Sequence, residues 1–122
     1  MTTIKSFTDL QQSKKLAEIL PLESVDAFYI IGKEPVDIVV IHGFVTHKHL
    51  KEQIAYKRAI PCWSLASLLN VLPFPSLHKT FIGYRCDSYN EEGTTCKLGE
   101  SADNPIDACY EMILKLNELK LL

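Results

Sequence analysis

Apolar residues recur along this chain with two different periods, and the switches between them predict the elements. Over residues 8–20, Leu10, Leu16, Ala17 and Leu20 fall near one helical face, with Gln12, Lys15 and Glu18 away from it. Thr8 and Gln11 form a capping-box pattern at its start, and Pro21 stops it, because the residue before a proline is pushed out of the helical region. Residues 27–31 and 37–42 are dense in β-branched and aromatic side chains. Gly32-Lys33-Glu34-Pro35 between them is turn chemistry, so the two predict an antiparallel hairpin. Residues 44–60 fit either a short helix around Leu50 and Ile54 or a long loop with an edge strand.

Helical periodicity returns at Leu65, Leu68, Leu69 and Leu72, spaced i, i+3, i+4, i+7. Ser64 supplies an N-cap, Trp63 a staple onto Leu68, and Pro73 and Pro75 an end. A second hairpin is predicted from residues 79–86 and 94–98 across 89–93, with Cys86 opposite Cys96 and a polar loop over 100–103. The strongest pattern is the last, residues 104–122. Asn104 is an N-cap, Pro105 occupies the first helical position, and Asp107 suits the helix dipole. Asp107, Glu111, Lys115 and Glu118 form one narrow polar stripe. Ile106, Cys109, Tyr110, Ile113, Leu114 and Leu116 face protein. The expectation is an α+β fold: one antiparallel sheet of about four strands, with about three helices packed mainly on one face and the last helix central to the core.

Composition narrows the class. At 122 residues, with 47% hydrophobic and 23% charged residues, the chain is expected to form a single domain over 1–122 with a core of its own. A net charge of −2 gives no overall attraction to nucleic acid or anionic membranes. The first nine residues lack the apolar core of a secretory signal, and the densest apolar run, residues 38–41, is too short to span a bilayer. A cytoplasmic location without membrane association is expected, with the four cysteines Cys62, Cys86, Cys96 and Cys109 reduced.

Two segments carry a resemblance. Ile60-Pro61-Cys62-Trp63-Ser64-Leu65-Ala66-Ser67-Leu68-Leu69-Asn70-Val71-Leu72-Pro73 and Asn104-Pro105-Ile106-Asp107-Ala108-Cys109-Tyr110-Glu111-Met112-Ile113 together resemble small uncharacterised proteins of prophages and mobile elements from gut anaerobes. The opening Ile4-Lys5-Ser6-Phe7-Thr8-Asp9-Leu10 is similar too; the middle, residues 31–58, is not. The resemblance implies a phage-related context, assigns no activity and transfers no functional residues.

The candidate chemistry is sparse. His47 and His49, with His42, offer imidazoles for a metal, and on a strand the first two would share a face. No carboxylate or cysteine stands at a matching spacing, so the motif is weak and surface histidines in a basic segment are the favoured reading. Cys62 near a helix start suits a lowered thiol pKa, with His78 as a possible base. Cys86 and Cys96 suit a cross-strand disulfide or half a metal site, but two small core residues in a reduced cytoplasm are the favoured reading. Lys48, Lys51, Lys57 and Arg58, with Tyr56 among them, are the candidates for touching nucleic acid, and the acids Asp87, Glu91, Glu92, Glu100 and Asp103 lie elsewhere in the chain. Phosphate loops, nucleophile elbows, zincin helices and calcium loops are missing. The sequence therefore predicts no catalytic residues, no metal site and no cofactor. It favours a non-enzymatic module that binds a protein partner, or a second copy of itself, through a sheet edge or the basic segment. A nucleic-acid-binding regulator using residues 47–58 is the alternative, and a small cysteine/histidine metal protein the third.

Overall fold

The computed structural model describes residues 5–32, 36–89 and 96–122. The fold is α+β. Among the described residues it has two three-stranded antiparallel sheets and four α-helices, where one sheet of about four strands and about three helices is expected. The chain falls into two compact units, Phe7–Ser67 and Met1–Ser6 with Leu68–Leu122.

The first unit holds α1 (Leu10–Ala17), β1 (Ala27–Ile30), β2 (Ile38–Val40), α2 (His47–Ala55) and β3 (Ala59–Cys62), with sheet order β2-β1-β3. The predicted hairpin is present: Ala27 pairs with Val40 and Tyr29 with Ile38. Its turn, at 33–35, lies outside the described residues. Of the two options for residues 44–60, the chain combines parts of both. It forms a helix capped by Thr46, whose hydroxyl accepts the His49 N–H, and then a strand. That strand was hard to see because Pro61 sits inside it. The Ile31 N–H bonds the Arg58 carbonyl, so Ile60 and Cys62 make the ladder bonds and the missing N–H of Pro61 falls on the outer side of an edge strand, where a proline is tolerated.

The start of α1 is shifted by one residue from the sequence pattern. Asp9 is the N-cap, accepting the Gln12 N–H at 2.8 Å while Gln12 Oε1 accepts the Asp9 N–H at 3.1 Å. Thr8 cannot serve as the cap because its groups are spent elsewhere. Its N–H bonds the Trp63 carbonyl at 2.9 Å, and its hydroxyl accepts the Trp63 N–H at 3.1 Å and meets the Ser13 hydroxyl at 2.8 Å. Its carbonyl accepts the Tyr29 hydroxyl at 2.6 Å. Thr8, Ser13 and Trp63 are fully buried, so these bonds are made where water cannot substitute.

α3 (Leu65–Val71) spans the boundary between the units. The expected Ser64 cap is present, its hydroxyl accepting the Ser67 N–H at 3.3 Å. Asp26, just before β1, accepts the Ser64 N–H at 2.9 Å, the Ser67 hydroxyl at 3.1 Å and the Ser64 hydroxyl.

The second unit holds β4 (Pro75–Lys79), β5 (Tyr84–Tyr89), β6 (Cys96–Ala102) and α4 (Pro105–Glu118). The strand expected over 79–86 is broken by a turn at 80–83, where the Thr80 N–H bonds the Gly83 carbonyl at 2.7 Å. A Cβ on Gly83 would stand 2.5 Å from the Ala102 carbonyl oxygen, so the turn needs glycine for the backbones to approach. The expected polar loop over 100–103 is instead the end of β6 as far as Ala102. The loop over 89–93 has only Tyr89 among the described residues. The register also overturns the Cys86–Cys96 pairing: Cys86 stands opposite Glu100, and Cys96 opposite Tyr89.

α4 packs on β5 and β6; Tyr110 and Leu114 of the expected apolar face are only half-buried, and the helix ends at Glu118 rather than running on to residue 122. Ile106, Ala108, Cys109, Met112, Ile113 and Leu116 are buried, Asp107 and Lys115 are half-buried, and Glu111 and Glu118 are exposed. Asn104 is the N-cap residue but its side chain makes no cap bond. Its Oδ1 accepts the Lys5 N–H, and Lys5 Nζ reaches Asp107 Oδ1, each at 2.9 Å. Helices α2 and α4 end alike. Lys57 and Lys120 adopt φ of +58° and +59°. The following residue bonds back to Gln53 or Leu116, closing the helix in the left-handed manner that favours glycine.

Two stability outcomes follow. Ile113→Ala empties a fully buried site on α4 and is expected to cost about 2–5 kcal/mol in chemical denaturation, whereas exposed Leu119→Ala stays within about 0.5 kcal/mol. Lys57→Gly and Lys120→Gly each relieve a left-handed side chain and are expected to raise stability by up to about 1 kcal/mol.

Candidate functional site

The basic candidates gather in the first unit. Lys48 and Lys51 lie a turn apart on α2, Lys57 closes the helix, Arg58 follows it, and all four are exposed. Tyr56 is exposed as well, and the Arg58 guanidinium stands 5.5 Å from its ring centroid in a cation–π contact. The segment thus presents a cationic surface with one aromatic face already stacked.

The histidines do not converge. His47 and His49 lie on a helix, where residues two apart point to different sides. The strand arrangement that would have aligned them is absent. His47 Nε2 donates to the Val25 carbonyl at 2.7 Å, the His49 ring lies 6.3 Å from that of Phe28, and His42 Nδ1 accepts the Phe44 N–H at 3.1 Å. Among the described residues no three His, Cys, Asp or Glu side chains are placed to hold a metal.

Among the described residues Cys62, Cys86 and Cys109 are buried, and the three thiols are not shifted alike. Burial in the first unit, then the nearby Asp26 charge, push the Cys62 thiol up from the usual 9.0 to about 12. This is opposite to the lowering expected of a thiol near a helix start, because desolvation penalises the thiolate. His78, the base considered for it, belongs to the second unit. There Cys109 donates its S–H to Cys86 across 3.8 Å. That bond holds Cys86 below the ordinary thiol range, while the same bond and burial hold Cys109 far above it. Cys62, Cys86 and Cys109 are free thiols.

Sequence reasoning missed one polar cluster. Arg85 and Asp87 alternate onto the same face of β5, with His78 opposite Arg85 on β4 and Gly99 opposite Asp87 on β6. Arg85 Nε donates to Asp87 Oδ1 at 2.7 Å, and His78 Nδ1 lies 3.9 Å from Asp87 Oδ2. A Cβ on Gly99 would fall 1.9 Å from the Arg85 guanidinium and 2.5 Å from Asp87 Oδ1, so the pair lies across the glycine. Period-two alternation from Arg85 would have found the pair had the strand not been ended at Cys86. Asp87 is buried and already engaged by Arg85 of the same strand, so the pair reads as a buried charge neutralised within β5.

The first unit also has an apolar hollow of about 200 Å³ lined by residues including Leu20, Val25, Ile54 and Trp63. The Trp63 indole N–H is already given to the Ser24 hydroxyl at 2.9 Å.

The remaining feature is the edge of the first sheet. Ile30 N–H bonds the Asp37 carbonyl and Ile41 N–H the Asp26 carbonyl, so Asp37, Val39 and Ile41 face β1 with their backbone groups. By alternation, the N–H and C=O of Ile38 and Val40 point outward along the edge. Their side chains are 40% and 51% exposed, and Val36 beside them 39%. No helix among the described residues is long and apolar enough to cross a membrane.

The Cys62 shift has a pH consequence. The folded state holds the proton more tightly than an unfolded thiol, so its contribution to stability is complete below pH 9 and is lost as pH rises toward about 12. A Cys62→Ala variant is expected to lose stability less steeply over that window in urea melts taken at stepped pH. Equal slopes would contradict the assignment. No protein-family model, curated protein or solved structure matches the chain.

Proposed function

We propose that this chain is a non-enzymatic interaction module that binds a protein segment by strand addition along β2. The observation that carries the reading is the outward-facing backbone of Ile38 and Val40, flanked by exposed β-branched side chains. Strand addition draws affinity from main-chain hydrogen bonds and selectivity from alternate side chains, and natural sheets blunt an edge not meant for pairing with lysine, proline or a bulge. Residues 38–40 carry none of these. Several potential nucleophiles among the described residues fit the same reading. Cys62, Cys86 and Cys109 are buried, while Ser13, Ser24, Ser64 and Ser67 are tied into internal hydrogen bonds. An accessory role in a phage or mobile element, in the cytoplasm, is the setting we attach to it, on the resemblance of the segments 60–73 and 104–113.

A second reading has its own observation: Lys48, Lys51, Lys57 and Arg58 are exposed around a stacked Tyr56, which suits a single-stranded nucleic acid.

Val40→Lys places a charge on the edge without touching the buried core. It is expected to weaken binding to a partner segment by at least about tenfold while the melting temperature holds. Unchanged binding sinks the strand-addition reading. Under the second reading, oligonucleotide binding falls with salt and disappears when Lys48, Lys51, Lys57 and Arg58 are replaced by alanine. Absence of binding at low salt removes it.

A further inference from the structure

Resting on the strand-addition reading, we infer that the segment added to β2 is β2 of a second copy of this chain, paired antiparallel about a twofold axis through Val39. The outward backbone groups belong to Ile38 and Val40. An antiparallel neighbour must present its own outward-facing residues opposite them. Centred on Val39, the strand meets that demand with itself: Ile38 opposes the partner's Val40, and Val40 opposes the partner's Ile38. Each opposed pair exchanges two hydrogen bonds, so all the outward N–H and C=O groups of the strand are used. A centre at Ile38 or Val40 leaves one of the two residues beyond the end of the partner's strand.

The side chains fit the same centre. Ile38 and Val40 project to one side of the sheet, so the pairing gathers four exposed β-branched side chains into one cluster. The flanks carry no like-charge conflict. Asp37 stands opposite the partner's Ile41 and Val36 opposite its His42, whereas a centre at Asp37 would set two carboxylates face to face. The contact is isologous, each copy using the same surface. Strands of three residues bury far less than the roughly 1,200 Å² of a stable interface, so the association is weak and its population rises with concentration.

In the Val39-centred pair, Val39 meets its own symmetry mate as a non-hydrogen-bonded rung, with Cα atoms about 4.5 Å apart, within disulfide reach. The experiment combines sedimentation of the full chain over a concentration series with cysteine variants Ile38→Cys, Val39→Cys and Val40→Cys oxidised by diamide. The expected result is a monomer–dimer equilibrium, a covalent dimer forming at least about tenfold faster from Val39→Cys than from the other two, and loss of both signals in a Val40→Lys background. Circular dichroism confirms that each variant is folded. A monomeric mass at the highest soluble concentration, or equal cross-linking at the three positions, overturns the self-pairing. If that happens while a partner segment still binds in a Val40-dependent way, the broader strand-addition reading stands; if Val40→Lys changes nothing in either assay, both fall.

Discussion

In the first unit, order depends on satisfying the buried polar groups of Thr8. A threonine with no exposed surface has three groups to pair, and leaving one unmatched away from water costs about 1–3 kcal/mol. The fold pairs all of them: the N–H and hydroxyl with the backbone of Trp63, the hydroxyl also with Ser13, and the carbonyl with Tyr29. One residue thereby joins the entry of α1, the exit of β3 and the middle of β1. Asp26 does similar work at the other end of β1, gathering Ser64 and Ser67 at the start of α3. The positions of β1 and β3 are therefore set by directional bonds as well as by apolar burial.

The second unit is held differently. Its sheet lies under the apolar face of α4, and that face is nearly continuous from Ile106 to Leu116. Polar contacts act at the margins, with Lys5 gripping Asn104 and Asp107 at the helix start. The Cys86–Cys109 contact belongs to the same packing, two small polarisable side chains filling the space between β5 and α4.

How much of this was legible follows from the kind of interaction involved. The existence and buried face of α4 could be read, because its stripe of polar residues at helical spacing records one face of burial directly, but the missing Asn104 cap bond and the helix end at Glu118 could not. The β1–β2 pairing was legible for a different reason, two β-branched and aromatic runs on either side of turn residues. What escaped was set by partners distant in sequence. Thr8 looks like a capping residue until Trp63, brought from across the fold, claims its hydroxyl. Ala59–Cys62 does not look like a strand, because a proline is acceptable there only once the strand is known to lie at an edge. The residue 79–86 run concealed a turn whose glycine answers to Ala102, and ending the strand at Cys86, with the loop placed at 89–93, gave the wrong register for Cys86 and hid the Arg85–Asp87 pair. The exposed basic residues were named from sequence, but the edge of β2 needs the ladder parity that only paired strands reveal.

Pro61 gives the first sheet a polarity that its topology alone does not. At the β3 margin the proline offers no outward N–H, and beyond that strand the segment at Phe7 and Thr8 already pairs with Ser64 and Trp63. Growth by added strands is thereby confined to the opposite side. A sheet extendable at both margins can polymerise without limit, whereas one extendable at a single margin exhausts itself after one addition. The proline thus closes one margin of a sheet whose other margin, among the described residues, is the outward-facing edge of β2.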